Sequence, residues 1–332
     1  MKIHFNMAFA LTPDQRTALQ QIAPGCEIVH TSEPNPDLLD GHDVDVLVTE
    51  PVPRDLAQWP ALRWVQLLSA GSNHLQGHPI WGTDIAVTNA SGTHGVPIAQ
   101  YITATWLMMM HRMPELLAFK PSRIWPDRAA LSGRVVRDLT VGIIGYGGIG
   151  RESARQLHAL GMRVLCLKRN PEDRIHHGNN PFPGTGDPTG KIPAAWYAPE
   201  QLTEFLPQCD LVVVTVPSTP QTAGFLGADE LQQMKKGAHL ILISRGGIVD
   251  EAALAASLHA GHLGGAAVDC FVREPLQSDH PFFDVPHLIM TPHMSGVFSD
   301  YWPVLFKLLE QNLPLFLSDQ PLLNEVSRTH GY

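Results

Sequence analysis

The sequence predicts an α/β fold of two lobes, each built on a mainly parallel sheet. Three observations predict it. The chain has 332 residues, beyond the length at which single hydrophobic cores stop growing. Strand-like and helix-like stretches alternate from the first residues onward, which is the pattern of an α/β layer. After Leu139 the apolar runs become continuous, as parallel strands buried on both faces require.

In the first lobe, MKIHFNM reads as a strand and the polar amphipathic stretch from Pro13 as a helix. CEIVH, DVLVTE, LRWVQLLSA and IAVTNASG read as the strands that follow. Residues 96–115, VPIAQYITATWLMMMHRMPE, form one long apolar stretch with Pro97 near its start, where proline suits the first turn of a helix. A helix this apolar must be buried, against a domain or against a second subunit. The second lobe then runs LTVGIIG, a helix over about residues 148–160, MRVLCL, LVVVTVP, AHLILIS, GGAAVDCF and HLIMTPH. The segment from Tyr301 is helical in pattern and is expected to pack back on the first lobe. Residues 170–198 break the alternation with five Pro and four Gly, and long connections of this kind are either functional or disordered. Their His176–His177 pair raises the question of a metal, but two adjacent His without further ligands at suitable spacing favour a solvated loop.

Composition narrows the function classes. With 44% apolar and 17% charged residues the chain has enough apolar surface for a substantial core. A net charge of −9 leaves no electrostatic footprint for nucleic acid or an anionic membrane. No run reaches the roughly 18 apolar residues of a membrane span, and the N-terminus lacks a signal-type apolar core. Cys26, Cys166, Cys209 and Cys270 are far apart with no CxxC spacing and read as free, buried thiols. The expected setting is cytoplasmic.

The stretch VGIIGYGGIG puts Gly145, Gly147 and Gly150 in GxGxxG spacing between a strand and a helix. Such glycines allow a tight turn, close approach of a pyrophosphate to the backbone, and close packing of helix on strand. The helix N-terminus then offers free N–H groups to the phosphates. A dinucleotide site over Gly145, Tyr146, Gly147, Gly148, Ile149 and Gly150 is therefore expected. An NAD site would end the next strand, about 20 residues on, with an acid for the ribose hydroxyls. MRVLCLKRN ends instead on Lys168 and Arg169. A basic pair can form charge-assisted bonds with a 2′-phosphate, so NADP(H) is expected over NAD(H), with NAD(H) still possible. The alternative is a strand end that has simply reached solvent.

Three later motifs each follow an apolar strand: LILISRGGIVD with Arg245, AAVDCFVREPL with Glu274, and LIMTPHMSG with His293. They fall at the carboxyl ends of strands, where open α/β sheets bind ligands. Together with LLSAGSNHL, NASGTHGVPIAQYITA, the glycine loop and PLLNEV, all in the same order, these motifs make the chain resemble the D-isomer-specific 2-hydroxyacid dehydrogenase family over almost its whole length. The resemblance implies two Rossmann-like domains with a cleft between them. A dinucleotide-binding domain would cover residues 94–294, and a discontinuous, flavodoxin-like substrate domain residues 1–93 plus 295–332.

By that resemblance Arg245, Glu274 and His293 are the catalytic set. The Arg245 guanidinium matches the oxygens of a 2-keto acid. His293 protonates the developing alkoxide, and Glu274 favours the charged imidazole. The resemblance also assigns the substrate carboxylate to backbone N–H groups around Ala70 and Gly71. Asp269 is assigned to the nicotinamide end, and Val216, Pro217 and Ser244 to the cofactor cleft. The implied activity is reduction of small 2-keto acids of glyoxylate or hydroxypyruvate type by a homodimer, without a metal. Oxidation of another small donor such as formate or phosphite, and a non-enzymatic dinucleotide sensor, are the competing readings.

Overall fold

The computed structural model describes residues 1–328. Contacts divide the chain into two units, one of Met1–Thr93, Gly178–Pro181 and the segment from Phe298 onward, the other of His94–His177 and Phe182–Val297. The first unit carries strands β1 (Lys2–Asn6), β2 (Glu27–Thr31), β3 (Val46–Thr49), β4 (Trp64–Leu67) and β5 (Ala86–Thr88). They form a parallel sheet in the order β2-β1-β3-β4-β5, the flavodoxin-type order. Ile3, Phe5, Val46 and Val48 face one side of it, against Leu305, Leu309 and Leu313 of the helix Tyr301–Leu317. Leu47, Val65, Leu67 and Val87 face the other.

The second unit carries β6 (Thr140–Ile144), β7 (Arg163–Leu167), β8 (Ala195–Tyr197), β9 (Leu211–Val214), β10 (His239–Leu242), β11 (Gly265–Val268) and β12 (Leu288–Met290). These make a seven-stranded parallel sheet, β12-β11-β10-β9-β6-β7-β8. The strand order reverses at β6, so a crevice opens at the carboxyl ends of β6 and β9, the position at which such sheets bind nucleotides. Residues alternate between two cores: Ile144, Leu165, Val212 and Leu240 on one face, Ile143, Val164, Val213 and Ile241 on the other. Burial on both faces is why the strands read as unbroken apolar runs.

Two elements differ from the expectation. The apolar stretch of residues 96–115 is not one helix: Gly95–Met110 and Met113–Leu117 are separated at Arg112, which is left-handed at φ 53°. Pro114 explains the break, because its ring would clash with the carbonyl four residues earlier, at Met110. Residues 170–198 are also not a plain solvated loop. Their last residues form β8, paired with β7 through Cys166↔Trp196 and Leu167↔Tyr197, and Asp187 within them is buried.

Candidate active site

The glycine loop follows β6. Gly145 is left-handed at φ 96°, and a Cβ there would lie 2.9 Å from Thr215 Oγ1 and 3.0 Å from the Val216 nitrogen. Gly150 packs its helix onto the strand, since a Cβ would stand 2.3 Å from the Gly145 carbonyl oxygen. Gly147 is different: a Cβ there would meet nothing within 4 Å. It caps the helix Gly148–Ala159, with no side-chain hydrogen bond to the first turn. Open space in front of free helix N–H groups, with half-buried Gly148 and Ile149 behind it, fits a bound pyrophosphate. The Tyr146 side chain turns inward and is 4% exposed, so Tyr146 can face a cofactor only through its backbone.

Lys168 and Arg169 follow the end of β7. The Lys168 ammonium donates to the Asp173 carbonyl and lies 4.0 Å from its carboxylate. Burial lowers the Lys168 pKa, opposed by the Asp173 charge. Arg169 is exposed. His177 pairs with Asp173 at 3.1 Å, and no group of three or more metal-binding side chains occurs among the described residues.

Four further strand ends carry the remaining candidates on the same carboxyl edge of the sheet. Val216 and exposed Pro217 follow β9. Ser244 and Arg245 follow β10, where Arg245 Nη1 donates to the Ser244 carbonyl at 2.7 Å. The Ser244 hydroxyl is buried with no hydrogen-bond partner among the described residues, and a buried hydroxyl of this kind suits a cofactor amide or ribose. Asp269 follows β11 with no exposed surface. Its carboxylate accepts from the Thr291 hydroxyl and from the backbone N–H groups of Met294 and Ser295 at 2.8 and 2.9 Å. Asp269 is thus the post on which the loop after β12 is built.

That loop carries His293, left-handed at φ 55°, its N–H donating to the Asp269 carbonyl at 2.9 Å. A non-glycine residue in this region is strained by about 1–3 kcal/mol and persists only where its surroundings dictate it. His293 Nδ1 meets Glu274 Oε2 at 2.8 Å, and Glu274 Oε1 accepts from the Phe271 N–H at 2.9 Å. Burial opposes ionisation of Glu274, but the bonds from His293 and Phe271 and the charges of His293 and Arg245 outweigh it and hold the carboxyl below its usual range. Both partners remain open to solvent, at 43% and 37% side-chain exposure, so a ligand can reach them.

One residue was missed in the sequence. His94, at the start of the helix Gly95–Met110, is pushed down to about 4 by burial, with the Arg245 and His293 charges acting in the same direction. It therefore stands as a neutral imidazole within electrostatic reach of Arg245. Only its place just before the helix hinted at it. Ala70 and Gly71 belong to the first unit, in a turn after β4 closed by the Ser69 hydroxyl donating to the Gly71 carbonyl at 2.7 Å.

Comparison with known proteins points one way. The profile described as D-isomer specific 2-hydroxyacid dehydrogenase, NAD binding domain, matches residues 103–295. A protein of Chromohalobacter salexigens named (S)-sulfolactate dehydrogenase is 38% identical over 250 residues, 73% of each chain. Among solved structures, a D-isomer specific 2-hydroxyacid dehydrogenase of Xanthobacter autotrophicus in complex with NADPH and MES is similar with a TM-score of 0.81 at 25% identity, over 100% of this chain and 99% of that one. An NADPH-dependent glyoxylate/hydroxypyruvate reductase of Sinorhizobium meliloti, in complex with NADP and sulfate, gives 0.78 at 27% identity, over 100% and 99%.

Proposed function

This chain belongs to the D-isomer-specific 2-hydroxyacid dehydrogenase family, and from that membership we propose that it reduces small 2-keto acids of glyoxylate or hydroxypyruvate type with NADPH, NADH being the poorer donor. The observation that carries the proposal is the 2.8 Å His293–Glu274 pair on the same carboxyl edge as Arg245 and the glycine loop. An acid, its carboxylate partner, a guanidinium and a phosphate cradle on one edge suit hydride transfer to a carbonyl.

When bound, the nicotinamide supplies the hydride. The residues do the rest. Arg245 binds the keto acid and polarises its carbonyl, and backbone N–H groups of Ala70 and Gly71 hold the carboxylate. Glu274 accepts the Nδ1–H of His293, which fixes the orientation of the ring. His293 Nε2 then gives its proton to the oxygen that becomes the hydroxyl. Asp269 keeps the His293 loop in place, and neutral His94 adds no positive charge to repel Arg245. Gly147, Gly148, Ile149 and Gly150 hold the pyrophosphate through backbone N–H groups, Gly145, whose N–H is bonded to the Leu167 carbonyl, makes the turn, and Val216, Pro217 and Ser244 line the cofactor cleft. Arg169 pairs with the 2′-phosphate, and Lys168 stiffens the turn beside it.

We assign the first unit to the substrate and the second to the cofactor, and place the protein in the cytoplasm, in keeping with four free, buried cysteines. A homodimer fits the apolar side chains left exposed after the helix Gly95–Met110, among them Leu117, Ile124, Trp125 and Val135.

Initial rates with NADPH and NADH, on glyoxylate, hydroxypyruvate, pyruvate and 3-sulfopyruvate, test the reading. The last is included because of the relative named for sulfolactate. A tenfold or greater preference for NADPH, about 1.4 kcal/mol, with glyoxylate or hydroxypyruvate leading, is the expected result. Leading turnover of 3-sulfopyruvate would move the substrate assignment, and no turnover of any keto acid would overturn the reaction.

A further inference from the structure

The inserted segment between β7 and β8 touches the glycine loop from behind. The Tyr146 hydroxyl donates to Asp187 Oδ2 at 2.8 Å, and the same carboxylate accepts from the N–H groups of Lys191 and Ile192, both at 3.0 Å. Arg151, directly after Gly150, donates to the Asp187 carbonyl at 2.5 Å and lies 4.8 Å over the Tyr146 ring. Glu152 accepts from the Gly186 N–H at 2.6 Å, and Trp196 of β8 stands edge-on to Tyr146 at 5.0 Å. Tyr146, Arg151, Glu152 and Asp187 are each 6% exposed or less.

Three buried charged side chains make an expensive way to anchor a loop, since apolar packing would do so without desolvation. What this arrangement adds is direction. Its target is the one side chain between Gly145 and Gly147, two glycines with no side chain of their own to fix the turn, so Tyr146 adds a side-chain hold to the backbone bond from the Gly145 N–H to the Leu167 carbonyl. A loop fixed beforehand avoids an ordering cost when the ligand arrives.

We propose that Asp187 is a positioning residue for dinucleotide binding: it holds Tyr146 and so sets the pyrophosphate loop before the cofactor arrives. This rests on the glycine loop being a dinucleotide site, as read above. The clamp acts on a part common to both cofactors, so it strengthens NADPH and NADH binding by the same factor and leaves their ratio alone. Arg169 would do the opposite.

The test is binary binding of NADPH and NADH, followed by nucleotide fluorescence without substrate, for Tyr146→Phe, Asp187→Ala and the double variant, beside melting temperatures. We expect each single change to weaken both cofactors about tenfold and equally, with the double variant no weaker than Asp187→Ala because one interaction is being removed. Tyr146→Phe deletes a single oxygen, so it carries the test if Asp187→Ala does not fold. Kd values within twofold of the parent in a folded variant, with or without a lower melting temperature, would reduce Asp187 to a structural anchor, as would a change in the NADPH-to-NADH ratio alone. A parent that binds neither nucleotide would overturn the site reading itself.

Discussion

His293 illustrates how a single side chain is aimed by its surroundings. Its strained φ of 55° is imposed by the Asp269 backbone, its ring by Glu274. Removing what aims the acid is therefore separable from removing the acid. His293→Ala should lower keto-acid turnover by about 100- to 10,000-fold while NADPH binds as before, and near-normal turnover would take the acid role away from it. Glu274→Gln leaves the imidazole but withdraws the carboxylate that orients its ring, so the reductive kcat should fall while NADPH binds as before. The Glu274 carboxyl is depressed in the folded protein, so its contribution to stability is present above the unfolded value near 4.5 and lost as pH falls through the folded one. Acid titration should accordingly cost Glu274→Gln less stability than the parent. Arg169→Ala should raise the Kd for NADPH and not that for NADH; equal effects on both would return Arg169 to being a solvated strand end.

At the scale of elements, the glycine-loop helix depends on how closely it meets β6. A methyl at Gly150 would collide with the Gly145 carbonyl, which is backbone and cannot swing away. Gly150→Ala should thus destabilise the second unit by about 1–3 kcal/mol and weaken both nucleotides, measured by denaturant melts and fluorescence titration. An unchanged melt would mean that helix and strand can separate without penalty. β8 extends the sheet beyond β7, and it gives residues 170–198 an ordered end.

At the scale of the whole molecule, the segment after the helix Gly95–Met110 leaves Trp125 77% and Ile124 70% exposed. Isolated exposed apolar residues are ordinary, but several on one short segment suit a surface that a second copy of the chain would cover. Light scattering should give twice the 36.4 kDa chain mass, and Trp125→Glu should shift the population towards single chains. A parent that scatters as one chain at micromolar concentration would remove the dimer. No helix among the described residues is long and apolar enough to cross a membrane.

The sequence by itself determined every strand but β8, because parallel strands buried on both faces must be continuous apolar runs, and it offered the site motifs, because GxGxxG and the residues after strands carry local chemical signatures. It also carried Arg245, Glu274 and His293 as candidates. Only the tertiary structure decided what depends on partners far along the chain. The break at Arg112 hinged on a proline meeting a carbonyl one turn back. Lys168 turned to its own loop, Asp269 was buried as a post for His293, and His94 was neutralised by burial. Asp187 met Tyr146 across 41 positions of sequence. Local pattern records what a residue can do; burial and long-range hydrogen bonds, which no local pattern contains, select what it does.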